Sequence, residues 1–178
     1  EMPMTSPYVY HGADVSYFSV KARPALQQKN LWYREVAPNL KEIVAKTGVA
    51  FIPMLITPEG EAWQDTITIL DRLEIAHPEP PLYPTTPVQR IVSYLIELYG
   101  DEIGILPAMH YRWSFEDSAQ KARVDFALGS GNLKAANAFG DRMEQGKNML
   151  GVSDATAPAI EAHLRELLDA LCTHFEEH

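Results

Sequence analysis

Apolar and polar positions keep two different rhythms along this chain, divided by a proline-rich stretch. In the upstream half short alternating runs are separated by turn residues. Tyr8-Val9-Tyr10-His11 predicts a strand ending at Gly12, and Leu31 to Val36 and Phe51 to Thr57 predict two more. Glu61 to Gln64 completes a hairpin with the third strand around the turn Pro58-Glu59-Gly60. Between these runs the spacing turns helical: Ala22, Ala25 and Leu26 within 18–29, where Pro24 must sit early or impose a kink, then Leu40 to Ala45. Ile69, Leu70 and Leu73 share one face of a third helix over 65–76. The predicted order is βαβαββα, a small α/β layer with mixed strand directions.

Downstream the pattern is helical throughout. Ile91, Leu95, Leu98 and Tyr99 form a stripe on a helix from Val88 toward Tyr111, disturbed near Gly104 and Pro107. A helical region over 118–149 is broken by Gly129-Ser130-Gly131. In the last helix Ser153 or Thr156 is placed to cap, Pro158 suits the first turn, and Ile160, Leu164, Leu167, Leu168, Leu171 and Phe175 share a face. The punctuation between the halves is HPEPPLYPTTP from His77 to Pro87, whose prolines fix φ and remove amide donors, making a stiff, extended linker. The expected organisation is therefore an α/β domain over 1–77, a linker over 78–87 and an all-helical domain over 88–178.

Composition narrows the function classes. The formal charge of −9 argues against sequence-independent nucleic-acid binding, although Lys21, Arg23 and Lys46 remain placed to surround a small anion. The one cysteine, Cys172, has no internal disulfide partner and points to a reducing, cytoplasmic setting. Its helical spacing from Leu168, Leu171 and Phe175 predicts a packed core thiol rather than a nucleophile. No apolar run approaches the roughly 20 residues needed to span a bilayer, so no membrane partner is expected. His163, His174 and His178 lack metal-ligand spacing, and no metal is expected.

Four places carry residues suited to chemistry. Ser16 lies between the first strand and the first helix, where unpaired amides and the helix dipole favour an anion, so its hydroxyl can donate to a thiolate; a plain helix cap by Ser16 or Ser19 is the competing reading. A proline opening a strand, Ile52-Pro53, can hold a cis bond and turn its backbone toward a ligand that pairs like an added strand; an edge-strand trans proline is the alternative. Asp65 and Thr66, at the mouth of the third helix, suit the ammonium and carboxylate of an α-amino acid, and capping explains either residue without a ligand. His110-Tyr111-Arg112-Trp113 offers aromatic rings to an apolar cosubstrate, or packs a core.

In order and spacing these features resemble the thioredoxin-like domain of the glutathione transferases. SYFSVKARPAL is similar to the first-helix opening of the family's serine and cysteine branches, Ile52-Pro53 to its Val-Pro step, and DTITILDRLE to its Glu-Ser signature. The resemblance spans residues 8–76, PPLYP fits the family's interdomain linker, and the helical half with its HYRW run resembles the family's all-helical second domain. It implies glutathione as substrate, with Ser16 at the catalytic position and a cis bond at Ile52-Pro53 whose backbone pairs with the cysteinyl part. It also implies that Asp65 and Thr66 hold the γ-glutamyl group, Tyr111 and Trp113 line the pocket of a small electrophile, and the protein is a homodimer. Two departures go with it. Ser16 is not followed by the Pro of cysteine-type members, so mixed-disulfide chemistry has no nucleophile. The chain also starts at Glu1 and stops at His178, short of the family's later helices, so a fragment with an incomplete helical domain is expected. A non-catalytic interaction module of the same fold is the alternative function, and a serine-type isomerase or dehalogenase a third.

Overall fold

The structure, a computed structural model, describes residues 6–177. Residues 1–5 of the expected first domain and His178 lie outside the described residues. The chain divides into two compact units, Glu1–Arg90 and Ile91–His178.

The first unit follows the βαβαββα order: β1 (Tyr8–His11), α1 (Tyr17–Gln28), β2 (Tyr33–Val36), α2 (Leu40–Thr47), β3 (Met54–Ile56), β4 (Ala62–Gln64) and α3 (Thr66–Ala76). The strands form one sheet in the order β2-β1-β3-β4, with β1 parallel to β2 and antiparallel to β3, and β3 antiparallel to β4. Strand alternation divides the core between the two faces. Tyr10, Leu55, Leu26, Ile69 and Leu73 are fully buried in one cluster with α1 and α3, whereas Met54, next to Leu55 in the strand, points to the opposite face. Buried Ile43 of α2 lies outside that cluster, and α2 packs on β4.

Two strands are shorter than their sequence patterns. The ladder of β3 begins at Met54, not Phe51, because Pro53 has no N–H to contribute, and Phe51 is left exposed. In β2, Leu31 packs against the core ahead of the paired residues, which start at Tyr33. α1 runs through Pro24. Lys29, just past α1, is buried: its Nζ donates to the carbonyls of His77 and Pro80 (the latter at 3.0 Å) and meets Glu74 Oε2 at 2.7 Å. The proline-rich segment is thus held from beneath by an ammonium group that satisfies carbonyls with no amide partners of their own.

The second unit is helical: α4 (Pro87–Glu102, spanning the division), α5 (Ile105–Trp113), α6 (Glu116–Ser130), α7 (Leu133–Met149) and α8 (Ala157–Glu177). The helix expected from Val88 to Tyr111 is two, parted at Ile103-Gly104, with Pro107 in the first turn of α5, where a missing N–H costs nothing. The expected break at 129–131 separates α6 from α7: Gly131 closes α6 at φ +65°, and Asn132 caps α7 by accepting from Ala135 N at 3.0 Å. Met109, Trp113, Ala119, Ala122 and Val152 form the core, joined by Phe126, Met143 and Ile160.

For α8 the sequence expectation is corrected. Cys172 is exposed rather than packed, and Leu168 and Phe175 of the same stripe are 50% and 75% exposed. The helix is fastened near its start, where Ile160 enters the core, Glu161 meets His110 and His163 meets Tyr99. An apolar stripe records what a helix can bury, not how far along its length a partner reaches.

Candidate functional site

The sheet register gathers the candidate residues of the first unit at one end. His11, the last residue of β1, pairs with Met54, the first of β3, and Met54 pairs with Gln64, the last of β4. The segments that leave the sheet there are therefore 12–16 ahead of α1, Ile52-Pro53 ahead of β3, and Asp65-Thr66 opening α3. Residues far apart in sequence meet because β3 runs against both of its neighbours.

Each segment is fixed locally. Tyr10 Oη donates to the Ser19 carbonyl at 2.7 Å, and burial pushes the Tyr10 phenol far above its ordinary value, so it stays a donor. Ala13 N donates to Ser19 Oγ at 3.3 Å and Ser16 N to the Ala13 carbonyl at 3.0 Å, so the loop is tied back onto the buried serine. A Cβ at Gly12 would lie 2.6 Å from the Tyr10 ring, which leaves room only for glycine. Ser16 is the α1 cap, its Oγ accepting from Ser19 N at 3.2 Å. A hydroxyl has one proton and two lone pairs, so a capping Ser16 still has a donor for an incoming anion.

The Ile52-Pro53 bond is cis. Gln64, which sequence reasoning passed over as a polar position in a half-buried strand, donates from Nε2 to the carbonyl of Phe51 at 2.6 Å and of Val49 at 3.3 Å. It thereby anchors the segment that presents Ile52. Asp65 has φ +71°, ψ +130°, a conformation L-residues rarely adopt, and its carboxylate caps α3 by accepting from Thr68 N at 3.0 Å. Thr66 follows as the first helical residue and is 4% exposed.

Of the cations read as available to an anion, Arg23 is engaged: it donates to Glu35 at 2.7 and 2.9 Å and to Asp14 at 2.8 Å. His11, at the same end of the sheet, is buried, and Asn39 N donates to its Nδ1 at 3.5 Å. Burial pushes the His11 imidazole below its ordinary value, against the opposing pull of Glu42.

In the second unit the pair Tyr111 and Trp113 divides. Trp113 is 3% exposed, stacks on Phe126 at 6.3 Å between centroids and lies under the Arg123 guanidinium, so it serves the core. Tyr111 is 41% exposed and stacks on Phe115 at 5.9 Å. Among the described residues no group of three or more His, Cys, Asp or Glu is arranged to hold a metal ion, and no helix is long and apolar enough to cross a membrane.

Residues 11–81 match the family described as glutathione S-transferase, N-terminal domain. The match runs from the last residue of β1 to Pro81, so it takes in Ser16, Pro53, Asp65 and Thr66. Solved structures extend the likeness of fold. A glutathione S-transferase from Methylobacterium radiotolerans, in complex with glutathione sulfonate, aligns at 22% identity and TM-score 0.54 over 93% of this chain and 91% of its own. A glutathione transferase homologue from Sulfitobacter with bound glutathione aligns at 16% identity and TM-score 0.51 over 90% and 92%. The Tau class glutathione S-transferase from mango, Mangifera indica, aligns at 18% identity and TM-score 0.54 over 67% of this chain, which spans only 61% of the mango protein. A sequence comparison with curated proteins gives no match. What these structures share with this chain is the fold, an α/β unit followed by helices.

Proposed function

We propose that the chain binds glutathione at the end of the sheet where 12–16, Ile52-Pro53 and Asp65-Thr66 converge, and activates its thiol for attack on an electrophile. The observation that carries this reading is the convergence itself, set by the pairings His11 with Met54 and Met54 with Gln64. Glutathione lies extended beside Ile52 and Pro53, pairing with backbone as an added strand does. Its γ-glutamyl ammonium meets the Asp65 carboxylate and its α-carboxylate the Thr66 hydroxyl and the α3 amides. Ser16 keeps its cap to Ser19 N and donates its proton to the sulfur, which favours the thiolate. Tyr111, with its ring exposed, is the residue of the expected aromatic pair free to meet an apolar cosubstrate.

The setting proposed is the cytoplasm, where glutathione is abundant and a lone exposed thiol stays reduced. A homodimer is also proposed: Ile91, Leu95 and Leu98 of α4 are 60%, 59% and 56% exposed, an apolar stripe suited to a second copy. Sedimentation at micromolar concentration should give twice the chain mass; a monomer there refutes the dimer.

Ser16→Ala tests the catalytic half. Conjugation of glutathione to a generic aryl halide should fall about 10–100-fold, on the scale of one lost hydrogen bond to a charged group. Unchanged turnover removes Ser16 from the mechanism. A second reading, binding without turnover, is favoured by one observation: Ser16 Oγ already has a structural role as the α1 cap. Glutathione binding with no measurable conjugation by the wild-type chain would decide for it.

A further inference from the structure

The second unit holds a polar cluster outside the residues proposed above for glutathione. His110, 3% exposed, joins Ser114 Oγ through Nδ1 at 3.0 Å and Glu161 Oε1 through Nε2 at 3.0 Å. Lys147 Nζ approaches the same Ser114 Oγ at 3.2 Å and the Trp113 carbonyl at 3.2 Å. The direction of this chain of hydrogen bonds follows from its ends. An ammonium only donates, so Ser114 Oγ accepts from Lys147 and keeps its own proton available to Nδ1. A carboxylate only accepts, so Nε2 carries the ring proton and gives it to Glu161. In the tautomer with the ring proton on Nε2, the Nδ1 lone pair faces the serine hydroxyl, the geometry a general base for an alcohol nucleophile requires. Ser114 is exposed, and with His110 it borders a cavity of about 320 Å³ that Lys147, Asn148, Ser153 and Asp154 also line.

We propose that His110, Ser114, Lys147 and Glu161 form a second, glutathione-independent site that hydrolyses small, polar carboxylic esters. Ser114 Oγ bonds to the ester carbonyl carbon while its proton passes to His110 Nδ1. The alkoxide leaves with that proton, breaking the C–O bond. Water then attacks the acyl-serine, gives its proton to Nδ1, and the carboxylic acid departs as the serine regains its hydrogen. Lys147 lowers the cost of negative charge on Oγ and on the adjacent tetrahedral oxygen. Glu161 positions the ring by accepting from Nε2, the role an orienting carboxylate has toward an imidazole base. The polar walls and volume of the cavity suit short, hydrophilic acyl groups, not long apolar ones.

The test uses the full chain without glutathione. A fluorophosphonate probe should label Ser114, located by peptide mass spectrometry, and p-nitrophenyl acetate hydrolysis should fall at least about 100-fold in Ser114→Ala, which loses the nucleophile. Ser114 is exposed, so this variant leaves the core alone. Glu161→Ala should slow labelling measured well below its melting temperature, and Glu161→Gln, whose side-chain carbonyl still accepts from Nε2, should recover most of it. A folded wild-type protein that takes no label at Ser114, or a Ser114→Ala protein as active as wild type, overturns the proposal. Either result leaves the glutathione site untouched, since no residue of the first unit enters the assay.

Discussion

Asp65 carries the sharpest conflict between local structure and site. Its φ of +71° costs on the order of 1–3 kcal/mol for a residue with a Cβ, part of which the cap to Thr68 N returns. A glycine would hold the same backbone without strain, so the carboxylate is what the position keeps. In Asp65→Asn the amide oxygen preserves the cap and only the charge is lost. We expect unchanged stability within about 1 kcal/mol and roughly tenfold weaker glutathione binding, the scale of one charge-assisted hydrogen bond. Thr66→Val, which keeps shape and removes the hydroxyl, should weaken binding by a similar factor; calorimetric dissociation constants for both variants check the pair. The sequence disclosed which residue types stand at this helix mouth, but not the φ of Asp65, because a positive φ without glycine leaves no mark in composition.

At the scale of elements, the link between α1 and the proline-rich segment rests on Lys29, whose side chain is 0% exposed. In sequence it reads as one more charge at a helix end. Its burial follows from packing: the linker needs a donor for carbonyls that prolines cannot serve. Lys29→Met should destabilise the first unit by about 3 kcal/mol or somewhat less, Glu74 being partly open to water, and the urea midpoint measures it. Burial alone would raise the Glu74 carboxyl, but hydrogen bonds from Lys29 and from the Leu82 amide outweigh it and hold the group below its ordinary 4.5. His11 is likewise held below its ordinary 6.5 by burial. In both cases the unfolded chain binds protons more readily than the folded one, so stability is complete above the unfolded value and drains as pH falls. The melting temperature should therefore decline below about pH 6.5 and again below about pH 4.5. His11→Asn, whose amide oxygen can accept from Asn39 N in place of Nδ1, should flatten the first decline; an unaltered slope would mean that His11 does not set it.

At the scale of the whole molecule, the two rhythms of the sequence carried over into an α/β unit and a helical unit, because period and turn chemistry are local properties. What stayed hidden was set by contacts between distant residues. The exposure of Cys172 and Phe175 depends on how much of α8 finds a partner, and Gln64 acquires its carbonyls only once β4 is paired with β3. The candidate site was legible as a set of residue types at Ser16, Pro53, Asp65 and Thr66; that their segments leave one end of the sheet became visible with the antiparallel register. The central claim is that this meeting place binds glutathione, and calorimetric titration of the full chain with glutathione tests it without any choice of electrophile. A single saturable site, with affinity lowered about tenfold in both Asp65→Asn and Thr66→Val, is the predicted result. No heat of binding to the folded wild-type chain at millimolar glutathione, or equal affinity in all three proteins, would contradict it.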